Sequence, residues 1–249
     1  RVGFAADVAS GWSIKGHTGR YGRAPSFFEL FGDRGAIVGN TDLTPESGQQ
    51  RDLGLHHRAD DGLTLAEIVA YDNRVEDLIR FVQNSQYVSR AHNIGRASLR
   101  GVETRIEARL RLAGWAFSLH AGYTYQQAEN RSPFSFEKGN DLPNAPRHRS
   151  QLRIGTDTGP WHVHWDLRRE SRHFLDRANL RPIAARTIHG AGIRRQFGKG
   201  MSVAAEISNL TDNGVADLWG YPLPGRSVSI SLSVEHPSSH LSNMSRGNQ

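Results

Sequence analysis

The sequence contains no cysteine among its 249 residues, so it has neither a disulfide framework nor thiol chemistry. It also has no run of about 18 apolar residues, which excludes a transmembrane helix. The catalytic patterns Gly-x-Ser-x-Gly and His-Glu-x-x-His are both absent. We therefore expect no enzymatic activity and no cofactor.

Basic residues outnumber acidic residues but are not concentrated in one segment of the chain. The chain has 31 Lys and Arg against 25 Asp and Glu, a net charge of +6, and a mean hydropathy of −0.56. A basic balance can indicate nucleic acid, an anionic membrane surface or acidic ligands. Because the arginines are spread along the whole chain without a dense run, we expect no nucleic-acid binding. The first residue is Arg and no signal peptide is recognisable, so we expect a piece of a longer polypeptide.

Apolar and polar side chains alternate along many segments. In residues 161–168, Trp161, Val163, Trp165 and Leu167 take every second position, and histidine, aspartate and arginine fill the others. Segments 100–110, 115–125 and 226–234 repeat the pattern. Side chains on a strand point alternately to its two faces. The sequence therefore predicts strands of roughly 9–13 residues with one apolar and one polar face.

The connections between these strands alternate in length. Short connections are predicted at 8–10, 59–62, 112–114, 156–160 and 198–200, and long ones at 25–46, 76–96, 127–146, 173–184 and 210–225. This gives about eleven antiparallel strands, with short turns at one end and long loops at the other, which is typical of an outer-membrane β-barrel. A soluble β-sandwich produces the same alternation and remains open at this point.

Three stretches carry motif residues. The first joins YGRAPSFFELFG (21–32) to GNTDLTPESGQQ (39–50), the second is HNIGRASLRGVE (92–103), and the third runs from ISNLTD (207–212) to PGRS (224–227). In this order they resemble the barrel signature of the TonB-dependent outer-membrane receptor family. The matching residues are Arg23, Ala24, Pro25, Glu29, Leu30, Asn40, Leu43, Pro45, Glu46, Asn93, Gly95, Gly101, Val102, Glu103, Asn209, Leu210, Asp212, Gly225 and Arg226.

The resemblance implies a 22-stranded barrel closed around an N-terminal plug domain. Residues 1–235 would form about 11 of the 22 strands, the C-terminal portion with short periplasmic turns and long extracellular loops, and residues 236–249 a disordered polar tail. The plug, the TonB box and the first strands would lie outside this chain. The order of elements is most similar to vitamin B12 and siderophore receptors.

The function implied is TonB-dependent uptake of a metal chelate, such as a ferric siderophore, heme or a corrinoid, across the outer membrane of a Gram-negative bacterium. Expected partners are the plug with the remaining barrel strands, TonB acting through the plug, outer-membrane lipid or lipopolysaccharide, and the chelate. A passive porin or adhesin barrel is the alternative within the barrel class.

Two sets of candidate site residues follow. Aromatic and arginine side chains on outer loops can capture an amphipathic or anionic ligand. The candidates are Phe27, Phe28, Tyr87, Phe134, Phe136, Arg177, Arg181, Trp219 and Tyr221, with Phe31, Phe81 and Phe174 in the same loops. The expected lumen or plug-facing residues are Glu103, Arg105, His120, His162, His164 and Asp166. His162 and His164 share a face, but no third metal ligand is evident, so we expect hydrogen bonding to the plug or water rather than a metal site.

Overall fold

The computed structural model describes residues 1–59, 64–83, 88–133, 136–198, 200–214, 216–218 and 221–234. These residues form β-strands with one short helix, α1 (Phe27–Phe31). The strands are β1 (Val2–Ala9), β2 (Trp12–Arg23), β3 (Ile37–Val38), β4 (Glu46–Arg58), β5 (Thr64–Gln83), β6 (Ser89–Leu112), β7 (Trp115–Asn130), β8 (His148–Thr158), β9 (Trp161–Glu170), β10 (His173–Phe174), β11 (Pro182–Ile183), β12 (Arg186–Phe197), β13 (Met201–Ser208), β14 (Ala216–Leu218), β15 (Tyr221–Pro222) and β16 (Ser227–Val234). No helix in the described ranges has the length and hydropathy needed to span a bilayer.

One antiparallel sheet dominates the molecule. Its order is β1-β2-β4-β5-β6-β7-β8-β9-β12-β13-β16, and β3 adds a short parallel pairing to β6. The other sheets in the described residues, β10-β11 and β14-β15, have two strands each. The prediction of about eleven antiparallel strands is therefore confirmed, and the β-sandwich alternative is wrong because no second large sheet in the described part of the chain packs on the first. The sheet is not closed, since β1 and β16 each have one neighbour.

The strand register explains why the sequence alternates. Val163 lies opposite Ile193, which lies opposite Ala205, and that residue lies opposite Ile230. The next row holds His164, Gly192, Glu206 and Ser229 on the other side of the sheet. Because a one-residue slip would exchange the two sides of any strand, the alternation fixes the register. We call the side bearing Trp161 and Val163 the apolar face, and the side bearing His162 and His164 the polar face.

The predicted loop at 76–96 is wrong. β5 continues to Gln83 and β6 starts at Ser89, so the two strands form a hairpin that extends beyond its neighbours. Apolar and polar side chains do not alternate regularly here because the hairpin is irregular. Asp77 has a φ of 55°, and neither Asp77 nor Gly95 has a partner in the ladder. Leu78 packs in the same buried cluster as Val75 although the two are three positions apart, so the period of two is interrupted at Asp77.

The buried core sits at the end of the sheet that carries the long connections. The first cluster joins hairpin residues to Leu142 and Ala145 of the 131–147 loop; its most buried members are Leu142, Ile94 and Val75, with 0%, 1% and 2% exposure. A second cluster joins Leu43, Ile79 and Ala91. Farther down the unclosed sheet, large apolar side chains such as Leu53 and Ile106 are exposed. The long loops are therefore packed against the sheet, and this packing fixes the positions of the side chains at that end of the molecule.

Candidate functional site

A three-residue ion network anchors the first long loop to the sheet. Arg23 at the end of β2 donates to Glu46 at the start of β4 (2.7 and 2.8 Å) and to Glu29 in α1 (2.8 and 3.1 Å). Glu46 is 5% exposed and also accepts the backbone N–H of Ile79 at 2.7 Å. A buried carboxylate is tolerated when its oxygens are hydrogen-bonded in this way. The network ties the loop, β4 and the long hairpin together.

Helix α1 starts with a capping box. The Glu29 backbone N–H donates to the Ser26 hydroxyl, and the Glu29 carboxylate accepts the Ser26 N–H at 2.7 Å. The box orients the helix so that Phe28 packs near Phe81, with ring centroids 5.7 Å apart. Phe27 remains 79% exposed. One predicted loop aromatic therefore faces the interior of the loop end and its neighbour faces solvent.

Asparagines fix the remaining loop backbone. Asn93 donates to the carbonyls of Asp77 and Thr44, and its side-chain oxygen accepts the Thr44 N–H. Asn40 donates to the Ala91 carbonyl at 3.1 Å. Side-chain amides suit this role because each offers donors and an acceptor to otherwise unpaired backbone groups. These two motif residues thus hold the loop backbone in place.

Two further loops hold each other. Asn179 of the 171–185 loop and Asp141 of the 131–147 loop exchange two hydrogen bonds, at 2.8 and 2.9 Å. Arg177 forms an ion pair with Glu137, whose carboxylate is nearly buried, at 3.2 Å. Arg147 donates to Asp141 at 2.8 Å, and this hydrogen bond raises the pKa of Arg147. The two loops therefore act as one packed unit.

A pocket lies where this loop unit meets the sheet. Its walls include Phe28 and Phe81, and its polar lining includes Arg149, Glu170 and Arg186. Glu170 lies 2.8 Å from Arg186 and 3.7 Å from Arg149. We call this the rim pocket. Two guanidinium groups share one carboxylate here, so the lining is cationic beside two aromatic rings.

Arg80 adds to the positive charge near the rim pocket. Its Nε atom is buried without a hydrogen-bond partner. The side chain is close enough to Arg149, Glu46 and Arg23 to interact with their charges. An unpaired buried polar atom is costly, and a bound anion would relieve that cost.

The six residues predicted for the lumen lie on the polar face. Across the strands, Glu107, His120, Arg153 and Asp166 form one row, and Glu103, Thr124, Arg149 and Glu170 form another. Arg105 occupies the intermediate row and forms an ion pair with Glu107. Opposite charges therefore alternate across the face, and Arg153 approaches Asp166 at 3.7 Å.

The two histidines of β9 lie farther along the same face. Their ring centroids are 5.6 Å apart, and His162 Nδ1 lies 2.8 Å from Asp157. Glycines on β12 make room for this row: a Cβ at Gly192 would lie 2.4 Å from the His164 ring, and one at Gly190 would lie 2.3 Å from Asp166. Among the described residues, no group of three or more His, Asp or Glu side chains is placed to hold a metal ion.

The loop candidates are not gathered into one site. Phe28 borders the rim pocket, whereas Phe27 and Phe136 are 79% and 70% exposed. Arg177 is engaged with Glu137, and Arg181 donates its backbone N–H to Asp176 at 2.7 Å. Tyr221 lies in β15. Tyr87, Phe134 and Trp219 lie outside the described residues.

Comparison with known proteins decides the family. The family model described as TonB dependent receptor-like, beta-barrel, matches residues 1–210. The chain belongs to the TonB-dependent receptor β-barrel family.

Solved structures share this receptor fold. The siderophore receptor PiuA from Acinetobacter baumannii superposes with a TM-score of 0.74 at 18% identity, over 93% of this chain and 35% of PiuA. The ferric citrate transporter FecA gives 0.73 at 20% identity, over 93% and 37%. The copper transporter OprC gives 0.70 at 20% identity, over 93% and 38%. The chain thus spans less than two-fifths of these receptors, and an unclosed sheet is expected of a barrel portion.

The sequence does not predict that several distant residues of this receptor barrel come together. Arg80, Arg149, Glu170 and Arg186 come from four strands that are distant in the chain, so no local pattern reveals the rim pocket. Helix α1 is different. Ser26 followed three residues later by Glu29 is a capping-box signal, and this spacing alone indicates where a helix starts.

Proposed function

We propose that this chain is the C-terminal portion of an outer-membrane receptor that takes up a metal chelate, with a ferric siderophore, heme or a corrinoid as the ligand class. The observation that carries the ligand chemistry is the rim pocket. Aromatic rings there lie beside Arg149 and Arg186, and the Nε atom of the nearby Arg80 is buried. Arginine binds carboxylate, catecholate and phosphate oxygens through charge-assisted hydrogen bonds, and aromatic rings cover the flat parts of a chelate. PiuA and FecA, named for a siderophore and for ferric citrate, support a ferric chelate in particular.

The polar face would line the barrel interior. A lumen needs hydrated side chains, and outer-membrane barrels place polar residues inward and apolar residues toward lipid. Glu103, Arg105, His120, His162, His164 and Asp166 would then contact the plug and line the path of the chelate. TonB would act through the plug, in the outer membrane of a Gram-negative cell. Residues 1–235 would form the barrel portion, and the predicted polar tail, residues 236–249, lies outside the described residues. No enzymatic step is proposed.

Calorimetric titration of the intact receptor tests the ligand class. The probes are a ferric catecholate, ferric citrate, heme and cyanocobalamin. We expect one of them to bind at micromolar concentration or better. Arg149→Gln should weaken that binding by roughly tenfold or more, since hydrogen bonds to charged groups contribute about 1.5–3 kcal/mol.

Arg195→Gln is the matched control. Arg195 lies at the other end of the sheet on the apolar face, 5.0 Å from the Trp161 ring centroid, so its loss should leave binding unchanged. Equal loss in both variants, or no binding of any probe by the folded receptor, would refute the assignment. A steady conductance in planar bilayers that no chelate blocks would instead support the passive porin.

A further inference from the structure

Four depressions follow one another along the polar face of β8, β9 and β12. The first is the rim pocket, whose lining includes Arg149, and the second is lined by Arg149 and Arg168. The third is lined by Arg168 and Arg153, and the fourth by Arg153 and Arg194. Each depression therefore shares an arginine with the next, from the end of the sheet with the long connections toward the end with the short turns.

The strand register sets the spacing of these arginines. The polar face has five rows from Glu170 to His162 along β9, and four of the rows contain an arginine on β8, β9 or β12. Rows on one face are two residues apart, about 6.6 Å, so the five rows extend over roughly 26 Å. We call these side chains the arginine track: Arg149, Arg186, Arg168, Arg153 and Arg194.

The excess of positive charge is confined to these three strands. On this face they carry the five arginines of the track and three carboxylates, those of Asp157, Asp166 and Glu170. On the described strands to either side, β7 has no Asp, Glu, Lys or Arg on this face, and β13 and β16 have only Glu206. An anion at this wall is therefore attracted to one stripe of it.

The one row without an arginine leaves the track open. It contains His164, whose neighbours on β8 and β12 are Gly155 and Gly192. Because glycine has no side chain, neither neighbouring strand places a group across the track between Arg153 and Arg194.

The guanidinium donors of the track are not used up within the wall. Arg149 and Arg153 each lie 3.7 Å from a carboxylate, which is too far for a direct hydrogen bond. Arg168 and Arg194 form no ion pair with any residue that the structure describes. A guanidinium group has several N–H donors and binds carboxylate, catecholate or phosphate oxygens through them. Donors for ligand oxygens are therefore available along the whole track.

We propose that the arginine track guides an anionic metal chelate from the rim pocket along β8, β9 and β12 toward the periplasmic end, between this wall and the plug. Passage through a pore requires sites that attract the solute but release it to the next site. Exposed arginines in successive rows meet both requirements, because a chelate exchanges one set of donors for the next without losing its counter-charge. A neutral chelate gains nothing from these side chains. This inference rests on the proposed uptake function and adds the route and the charge of the ligand.

Charge-selective thiol labelling of the intact receptor measures the potential at the track without any chelate. Gln151 of β8 lies opposite Arg168, and its neighbours on the same face of β8 are also arginines. Val69 of β5, on the same face outside the track, is the control position. Gln151→Cys and Val69→Cys are each treated with an anionic sulfonate and with a cationic trimethylammonium methanethiosulfonate, and the receptor without either change gives the background.

The ratio of the anionic to the cationic labelling rate should be roughly tenfold higher at position 151 than at position 69. Adding Arg168→Gln should lower the ratio at position 151. Added salt should lower it as well, because the site is exposed to solvent.

Uptake of radioactive iron then tests the route. Cells that make the intact receptor receive a ferric catecholate or ferric citrate, both anions, and binding and uptake are measured separately. Arg168→Gln/Arg194→Gln should lower the uptake rate by roughly fivefold. The binding affinity should not change, because neither arginine lines the rim pocket. Arg168→Lys/Arg194→Lys, which keeps both charges, should retain most of the uptake.

Arg109→Gln/Arg111→Gln is the matched control. It removes two arginines of the same face from β6, outside the track, and should leave both binding and uptake unchanged.

Four results would overturn the proposal. They are equal labelling ratios at positions 151 and 69, no labelling of position 151 by either reagent, uptake by Arg168→Gln/Arg194→Gln at the wild-type rate, and an equal loss of uptake in the control. Entry of a large antibiotic such as vancomycin into cells with Arg168→Gln/Arg194→Gln would also contradict it, by showing that these arginines hold the plug. Failure of the wild-type receptor to take up either chelate would refute the uptake function and the route with it. Normal uptake with equal labelling ratios would refute the track alone, so the two failures are distinguishable.

Discussion

At the scale of single residues, the family motif stabilises the loop end. Arg23, Glu29 and Glu46 come from β2, α1 and β4, and their ion network holds three separate segments at the rim. The adjacent prolines, Pro25 and Pro45, lack a backbone donor, and the ladder between β2 and β4 stops at Arg23 and Glu46. The motif residues thus end two strands and attach the loop between them to the sheet.

Because the Glu29 carboxylate is ionised in the folded loop, we expect the loop to lose stability in acid. Hydrogen bonds from Arg23, reinforced by Ser26, lower the pKa of Glu29 from 4.5 to about 2, although burial opposes the shift. A lowered folded-state pKa stabilises the loop above about pH 4.5, and the contribution is lost as the pH falls toward 2. Amide hydrogen exchange of residues 27–45, corrected for the intrinsic rate, should therefore accelerate across this range.

The variant Glu29→Gln isolates the effect. Amide protection of the loop should fall by about 1 kcal/mol at neutral pH in this variant. The value is modest because the Arg23 side chain is 41% exposed to solvent. The remaining protection should change little as the pH is lowered. Glu76→Gln, which removes a carboxylate 63% exposed, serves as the control. An acid response of the same size in Glu29→Gln and in the wild type would contradict the assignment.

At the scale of elements, the sequence predicts the strands well and the loop end poorly. Alternation is strong where one face of the sheet is apolar and the other is polar, as along β9. It fails in the β5–β6 hairpin beyond Asp77, where charged and apolar residues occur on both faces. The rim pocket could not be predicted because its contacts join residues far apart, such as Glu46 and Ile79, or Asn144 and Phe81. Local patterns specify periodicity but do not specify which distant segments meet.

Packing of the 131–147 loop depends on one side chain, Leu142, which is fully buried against the hairpin. Leu142→Ala should cost about 2–5 kcal/mol of loop stability, because the methyl groups are lost and the surrounding side chains cannot fill the cavity. Hydrogen exchange of residues 136–147 measures it. Leu180→Ala, at a leucine 78% exposed in the neighbouring loop, should change stability by no more than about 0.5 kcal/mol. Similar effects of the two substitutions would mean that the loop is not packed as described.

At the scale of the whole molecule, cysteine labelling can measure the two faces of the sheet. These 249 residues contain no cysteine of their own, so single cysteines can be placed at successive positions 162–167 of β9 in the intact receptor and compared with the receptor that lacks them. In outer membranes, a charged, membrane-impermeant thiol reagent should modify Cys at 162, 164 and 166, on the face that we propose lines the interior, and spare 163, 165 and 167, on the face that we propose contacts lipid. The reactivity should therefore repeat every two residues, as the side chains do.

The same scan on β6 adds a boundary that β9 lacks. Positions 102, 104 and 106 of its apolar face should be protected, whereas 96, 98 and 100 should react, because the same face of β6 becomes polar at Arg100, Ser98 and Arg96. The proposed barrel wall contacts lipid with its apolar face over roughly 25 Å. Uniform reactivity along β9, or protection that continues through Arg100, would contradict this placement. Together, the period on β9 and the boundary on β6 locate the bilayer on this sheet independently of any ligand.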